Sequence, residues 1–170
     1  MALFSKRPFT IGELMDIDYG RQERAQSCSV ELEGTYHQLQ METLADKLRS
    51  FFTGKTHLLG YFLILKLKVT SVGGREPRTV YIKLNPDFNL NRWESNRVKI
   101  YCDCPDFKYR SAYVLNERKS LFLNDKTKTE LGPSLTDSPK KGAKTSLLCK
   151  HAYAALSWLV SNYPSIMRSV

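Results

Sequence analysis

Two short cysteine motifs that lie far apart in the sequence constrain this chain more than any other feature. Cys102 and Cys104 form a Cys-x-Cys pair, and Cys149 and His151 form a Cys-x-His pair. Residues i and i+2 share a face of an extended chain but not of a helix. We therefore predict that the first pair lies on extended chain and that the second pair spans the start of a helix. Three thiolates and one imidazole are a ligand set of structural zinc ions.

A disulfide and free buried thiols are the two alternatives to a metal site. A Cys102–Cys104 disulfide would close a strained small ring, and in a reducing compartment clustered cysteines more often bind metal than form disulfides. Free buried thiols would not explain why the ligand-type residues occur in two closely spaced pairs. Cys28 has no partner at ligand spacing and is predicted to be a small buried hydrophobe. The sequence thus predicts one structural Zn²⁺, bound by Cys102, Cys104, Cys149 and His151.

The pattern resembles the SWIM-type zinc finger, a Cys-x-Cys and Cys-x-His module. The resemblance covers residues 98–160 and implies that the four residues above are the zinc ligands. The segment 105–148 is longer than the usual spacer of that family. The string Cys-Asp-Cys-Pro-Asp-Phe-Lys-Tyr-Arg, followed later by Cys-Lys-His, is also similar to small uncharacterised proteins of tailed bacteriophages. That second resemblance implies a setting, a virion assembled in the host cytoplasm.

Composition favours a soluble globular protein with a modest core. Hydrophobic residues make up 42% of the 170 residues. No apolar run reaches the roughly 18 residues of a membrane span, and the N-terminus lacks the apolar core of a signal peptide. We expect a virion or cytoplasmic location and no membrane partner.

Positive charge is concentrated in the half of the chain that contains the cysteine pairs. Residues 1–91 carry 12 basic and 10 acidic side chains, whereas residues 92–170 carry 14 and 7. This asymmetry indicates a polyanionic neighbour, either nucleic acid or an acidic protein surface, although solubility alone would also account for it. The candidate contact residues are Lys108, Arg110, Lys126, Lys128, Lys140, Lys141 and Lys144.

Hydrophobic periodicity predicts an α+β fold in which helices pack on an antiparallel β-meander of about three strands. Alternating apolar residues predict strands over 61–70, 79–84 and 97–102, and a further short strand over 27–33 is compatible with the pattern. The third strand would deliver Cys102 from its inward face. The zinc site would then join this strand, the helix after it and the C-terminal helix.

Four helices are predicted. Thr10 and Glu13 have the spacing of a capping box, which predicts a helix to about Tyr19. A helix over 106–116 follows the first cysteine pair, and a last helix starts after Cys149 and ends before Pro164. A loose apolar stripe predicts another helix over 36–52. Its members are Leu39, Leu44, Leu48, Phe51 and Phe52.

The chain is predicted to comprise an N-terminal helical segment, 1–58, and a region 59–170 that holds the meander and the zinc module, together forming one compact unit. Residues 117–146 lose the helical pattern and are rich in Lys, Thr, Ser, Gly and Pro. They predict a long basic insertion loop with a brief strand at 120–123. Because loops beyond about 15 residues are uncommon in compact domains unless they have a function, we interpret it as a contact arm.

Two classes of function remain. Four protein ligands close the zinc shell and no carboxylate is placed to act as a base, so we expect neither an enzyme nor a small-molecule substrate. The first class is a structural or assembly protein that contacts other protein subunits. The alternative is a sequence-nonspecific nucleic-acid-binding zinc finger. Tyr109 and Tyr113 are one turn apart and could stack on bases, but packing at the core edge is the favoured interpretation.

Overall fold

The computed structural model describes residues 7–17, 22–39, 48, 51–53, 61–74, 76–136 and 147–169. Within these ranges the chain forms one four-stranded antiparallel sheet of β1 (Cys28–Leu39), β2 (Tyr61–Ser71), β3 (Arg78–Leu84) and β4 (Val98–Cys102), in that spatial order. Strands adjacent in sequence are adjacent in the sheet, so the sheet is a meander packed with helices. The predicted α+β fold is confirmed, with one strand more than the three expected.

One face of the sheet carries most of the core because its strands alternate apolar and polar residues. In β2, Leu63, Leu65, Leu67 and Val69 are buried while Lys66 and Lys68 point to the other face. The C-terminal helix, Lys150–Ser169, packs across this inner face and touches all four strands. Each large aliphatic side chain buried there contributes about 1.5–3 kcal/mol. The inner face therefore fixes the position of the helix whose first turn contains His151.

The first helix, α1 (Ile11–Ile17), confirms the predicted capping box. The Thr10 backbone N–H donates to Glu13 Oε2 at 2.9 Å, and the Glu13 N–H donates to Thr10 Oγ1 at 3.2 Å. These two bonds satisfy donors that a helix N-terminus leaves unpaired. A second short helix, α2 (Gln22–Gln26), precedes β1. The predicted end of the first helix, at Tyr19, lies outside the residues that the structure describes.

The predicted start of the helix over 36–52 is wrong, because residues 36–39 belong to strand β1. This strand continues past a bulge between Leu32 and Gly34, and Tyr36 and His37 pair with Ile64 and Leu63 of β2. A full hydrogen-bonding ladder from a core strand outweighs local helical periodicity. The N-terminal segment 1–58, which was predicted to be helical, therefore supplies the longest described strand of the sheet.

The described helical residues of that apolar stripe do not belong to the hydrophobic core. Leu48 and residues 51–53 are helical. The side chains of Leu48, Phe51 and Phe52 are nevertheless 51%, 82% and 80% exposed. Residues 40–47 and 49–50 lie outside the described ranges, and Leu44 is among them. The visible stripe residues of this helix are therefore surface residues.

The helix predicted after the first cysteine pair is present but contains an irregular turn. Residues 105 and 106 are helical, Phe107–Ser111 form a π-helical turn, and α3 (Ala112–Glu117) completes the element. The wider turn is closed by the Ala112 N–H, which donates to the carbonyl of Phe107. Phe107 and Leu115 are buried, whereas Tyr109 is 68% exposed. Single π turns inside helices often lie at functional sites.

The predicted loop over 117–146 is wrong for residues 117–136, which dock on the core. The Ile100 N–H donates to the carbonyl of Ser120 at 2.9 Å, and the Phe122 N–H donates to the carbonyl of Ile100 at 3.0 Å. The chain thus runs briefly parallel to β4, as the predicted strand at 120–123 suggested, and covers the edge of the sheet. Residues 137–146 lie outside the described ranges.

A short helix then follows within the same segment. Asn124 forms a capping box with Thr127 and begins α4 (Asp125–Leu131), which ends at Gly132, a residue with a positive φ of 47°. Leu131 is buried, and so is Thr127. The segment is therefore anchored by apolar burial and a capped helix rather than extending as an arm.

The C-terminal helix, α5 (Lys150–Ser169), is longer than predicted. It continues through Pro164 instead of ending before it. Its buried stripe includes Ala152, Ala155, Leu156 and Leu159. No helix within the described ranges is long and apolar enough to span a membrane.

Candidate metal centre

The structure brings the two sequence-distant pairs together at the end of β4. Cys102 is the last residue of the strand, Cys149 immediately precedes α5, and His151 lies in the first turn of that helix. The three sulfur atoms and a ring nitrogen of His151 all lie within 4.8 Å of one another, and all four side chains are buried. Side chains gathered this closely could hold one Zn²⁺, which prefers thiolate and imidazole ligands.

Cys104 is both a member of this cluster and the residue at which a helix begins. Its carbonyl accepts a hydrogen bond from the Lys108 N–H at 3.2 Å, and its Sγ accepts one from the Phe107 N–H at 3.4 Å. This is the bonding pattern of an N-cap, with sulfur in place of the usual oxygen. Pro105 follows at the first helical position, where a missing N–H costs nothing.

Cys149 repeats the arrangement at the start of α5. Its carbonyl accepts from the Tyr153 N–H at 3.0 Å, and its Sγ accepts from the Ala152 N–H at 3.3 Å. Two helices thus direct their positive N-terminal ends at two sulfurs of one cluster. Both the N–H groups and the helix dipoles favour the thiolate over the thiol.

Burial and mutual hydrogen bonds shift the pKa values of the three cysteine thiols in different directions. Burial raises the pKa of Cys102 and of Cys149 well above the ordinary value. Hydrogen bonds from Cys102 and then from Cys149 lower the pKa of Cys104. A divalent cation would allow all three cysteines to ionise.

His151 supplies an independent test of the fit. Its Nδ1 is buried, and no hydrogen-bond partner for it exists in the described part of the chain. A buried ring nitrogen without a partner is costly, and a metal ion would satisfy it. The donor set, the spacing and this nitrogen agree, so the four side chains form a site for one Zn²⁺. When bound, the ion would join β4, the helix after it and α5.

The strand residue next to Cys102 ties α4 to the same region. The Tyr101 hydroxyl donates a hydrogen bond to the carboxylate of Glu130, and burial raises the pKa of Tyr101. The ring of Tyr101 also lies edge-on to Phe107, with centroids 5.8 Å apart. The elements around the metal site therefore contact one another independently of the ion.

The predicted basic contact residues lie in several different environments and do not form one group. Arg110 forms an ion pair with Asp106 at 3.0 Å, and Lys126 forms one with Glu130 at 3.8 Å. Lys108 is half-buried and Lys128 is exposed. The remaining three, Lys140, Lys141 and Lys144, lie outside the described residues. Of this set, Arg110 lies in the cleft beside the metal site.

Sequence reasoning missed two basic residues in that cleft, Arg24 and Arg78; the volume of the cleft is about 340 Å³. Arg24, Arg78 and Lys150 line it together with Arg110, next to Cys104, Cys149 and His151. Only Lys150 adjoins a motif. Arg24 and Arg78 come from the less basic half of the chain, and no local pattern marks them.

Comparison with known proteins agrees with this geometry. Residues 79–113 and 140–157 match the family model of the SWIM zinc finger, and these two ranges contain all four ligands. The match omits 114–139, the segment that contains α4. No curated protein and no solved structure matched the chain. The metal centre is therefore similar to the SWIM zinc finger in the identity, spacing and order of its ligands, and this supports a zinc-binding role.

Proposed function

We propose that this chain is a non-enzymatic, zinc-stabilised assembly protein that contacts other protein subunits. The observation that carries the proposal is the closed and buried ligand shell. Four protein side chains are available for one ion, and Cys102, Cys104 and Cys149 are at most 2% exposed. Catalytic zinc normally keeps a position open for water, whereas structural zinc does not.

The proposed setting is a tailed-phage virion. Support for it comes from the similarity of the Cys-Asp-Cys-Pro-Asp-Phe-Lys-Tyr-Arg and Cys-Lys-His strings to phage proteins.

Exposed apolar side chains indicate where protein partners would bind. Phe51 and Phe52 are mostly exposed, with their ring centroids 5.7 Å apart. Tyr36 and Tyr61, on the paired strands β1 and β2, are 52% and 59% exposed, but they point to opposite faces of the sheet because Tyr36 pairs with Ile64 and Tyr61 pairs with Leu39. Grouped exposed aromatics mark protein interfaces more often than single ones do. The proposed contact surface is therefore the Phe51–Phe52 pair and not residues 117–136, which dock on the core.

The test is incorporation of variants into assembled particles in host cells. Phe51→Ser with Phe52→Ser should keep its zinc content and melting temperature but lose incorporation. The matched control is Val72→Ser with Tyr109→Ser, which removes two exposed apolar side chains elsewhere and should be incorporated normally. A wild-type chain that joins no particle or protein complex would contradict the proposal, and so would a zinc-dependent turnover of any substrate.

A further inference from the structure

The cleft beside the metal site gathers cations from four separate elements. Arg24 comes from α2, Arg78 from the first residue of β3, Arg110 from the π turn, and Lys150 from the first residue of α5. Cys104, Cys149 and His151 lie among the residues of the same cleft. We call this feature the basic cleft. Its composition results from the fold, because no two of the four cations are near each other in sequence.

The positive charge exceeds what the metal centre needs for neutrality. Zn²⁺ with three thiolates and a neutral imidazole carries one negative charge. Asp106 is the acidic residue that lines the cleft, so the four cations leave two positive charges uncompensated. One positive charge remains if Asp103 is also counted, since Arg78 acts on its carboxylate. An anionic ligand is therefore favoured after the zinc is bound.

The helix ends beside the cleft add to this field. The helices that start at Cys104 and at Cys149 both have their N-terminal ends next to it. Partial positive charge at such ends favours anions. The first N–H groups of both helices already donate to the cysteine sulfurs, so the side-chain cations supply most of the uncompensated charge.

The shape and the residue types favour phosphate over carboxylate. A guanidinium group binds either anion through a two-pronged fork. A phosphate, however, presents several strong acceptor oxygens in a tetrahedron, which suits cations that approach from four elements. No aromatic side chain lines the cleft within the described residues, so it offers no stacking platform for a base.

We propose that the basic cleft is a phosphate-binding site, for phosphates of a nucleic-acid backbone or for free phosphate. The site extends the nucleic-acid alternative predicted from the sequence and does not depend on the assembly role. Contacts to phosphate alone carry no sequence information. Binding should therefore depend on salt and be indifferent to base sequence.

The test compares two charge-matched double variants of the zinc-loaded full chain. Arg24→Gln with Arg78→Gln removes two cations of the cleft that are not metal ligands. Lys68→Gln with Lys99→Gln removes two cations from the opposite face of the sheet and leaves the same net charge. The probes are a labelled 20-nucleotide oligo(dT), sodium pyrophosphate and a poly-glutamate peptide, with zinc content and melting temperature measured for every protein.

We expect the cleft variant to bind oligo(dT) about tenfold more weakly, with a salt slope lower by about 1.4, the value for two lost single-strand contacts. The control variant should stay within about twofold of wild type. Pyrophosphate that competes with oligo(dT) at micromolar concentration would support free phosphate as the ligand. Competition only at millimolar concentration would support the backbone.

Three results would overturn the proposal. Equal weakening by both variants would mean that net charge alone attracts the oligonucleotide. A preference of the cleft for poly-glutamate would replace phosphate by an acidic peptide. Loss of zinc from the cleft variant, with no change in oligonucleotide affinity per zinc-loaded molecule, would mean that the arginines only neutralise the metal centre.

Discussion

The two edges of the sheet are built in different ways. At the β4 edge, four of the five strand residues are buried, residues 120–122 cover the strand, and the metal ligands lie at its end. At the β1 edge, every residue from 28 to 38 is at least partly exposed. The β4 edge is thus held by several independent contacts, whereas β1 is held by its pairing with β2 and by contacts with α5 and α2. The difference indicates that stability is concentrated at the metal end and that the other edge is free to tolerate change.

The largest expected contrast is between two cysteines, one at each edge. Cys104→Ser should abolish zinc binding and lower the melting temperature by about 10 °C or more, because structural zinc binding is coupled to folding. Cys28→Ser, in β1, should keep one zinc per chain and shift the melting temperature by less than about 3 °C. Elemental analysis and calorimetry measure both effects. Equal decreases of zinc content and melting temperature in the two variants would contradict the proposed difference between the two edges.

A smaller contrast is expected between two aromatic residues. Phe107 is fully buried beside the ligand Cys104, so Phe107→Ala should cost about 3–5 kcal/mol of unfolding free energy. Tyr36 is 52% exposed on β1, and Tyr36→Ala should cost less than about 1 kcal/mol. Urea unfolding of the zinc-loaded proteins gives both values. A Tyr36 variant as unstable as the Phe107 variant would show that the β1 edge is as firmly held as the metal end.

The smallest contrast concerns two carboxylates and pH. The hydrogen bond from the Thr10 N–H lowers the pKa of Glu13 below its ordinary value of 4.5. Its contribution to stability is therefore fully present above pH 4.5 and is lost as the pH falls through the lowered pKa. Glu13→Gln should cost roughly 0.5 kcal/mol at neutral pH, a modest value because the side chain is partly exposed to solvent.

The matched variant is Glu33→Gln on β1, which removes only a surface ion pair with Lys66 at 3.1 Å. It should change stability very little. Unfolding of both variants and wild type between neutral pH and about pH 3 checks the prediction. A Glu13 variant whose deficit grows on acidification would contradict the assigned sign.

The sequence predicted the metal centre well because its constraints are local. The spacing of Cys102 and Cys104 requires extended chain, and Pro105 then begins a helix, as the structure shows. The spacing of Cys149 and His151 places the second pair at a helix start, and this was also confirmed. Short ligand spacings determine backbone geometry without reference to the rest of the fold.

The errors arose where tertiary contacts or weak local signals decide the structure. The helix α4 buries few residues, so hydrophobic periodicity could not reveal it. Its Asn124 cap and the Gly132-Pro133 stop were nevertheless present in the sequence and could have identified it. The extent of β1 depends on pairing with β2, a strand distant in sequence, and the basic cleft depends on four elements. Neither has a local signature.

The candidate metal ligand Cys149 caps α5. A bound ion would therefore help to fix the rotation of this helix about its own axis. Successive residues of an α-helix are turned by about 100° around its axis. Cys149 and His151 hold the first turn at a fixed angle to β4, and this angle aims Ala152, Ala155 and Leu156 at the sheet. One residue inserted after His151 would keep every ligand in place yet turn the apolar stripe away from the sheet. A bound ion would therefore reinforce the rotational phase that the packing of the apolar stripe against the sheet already gives the helix.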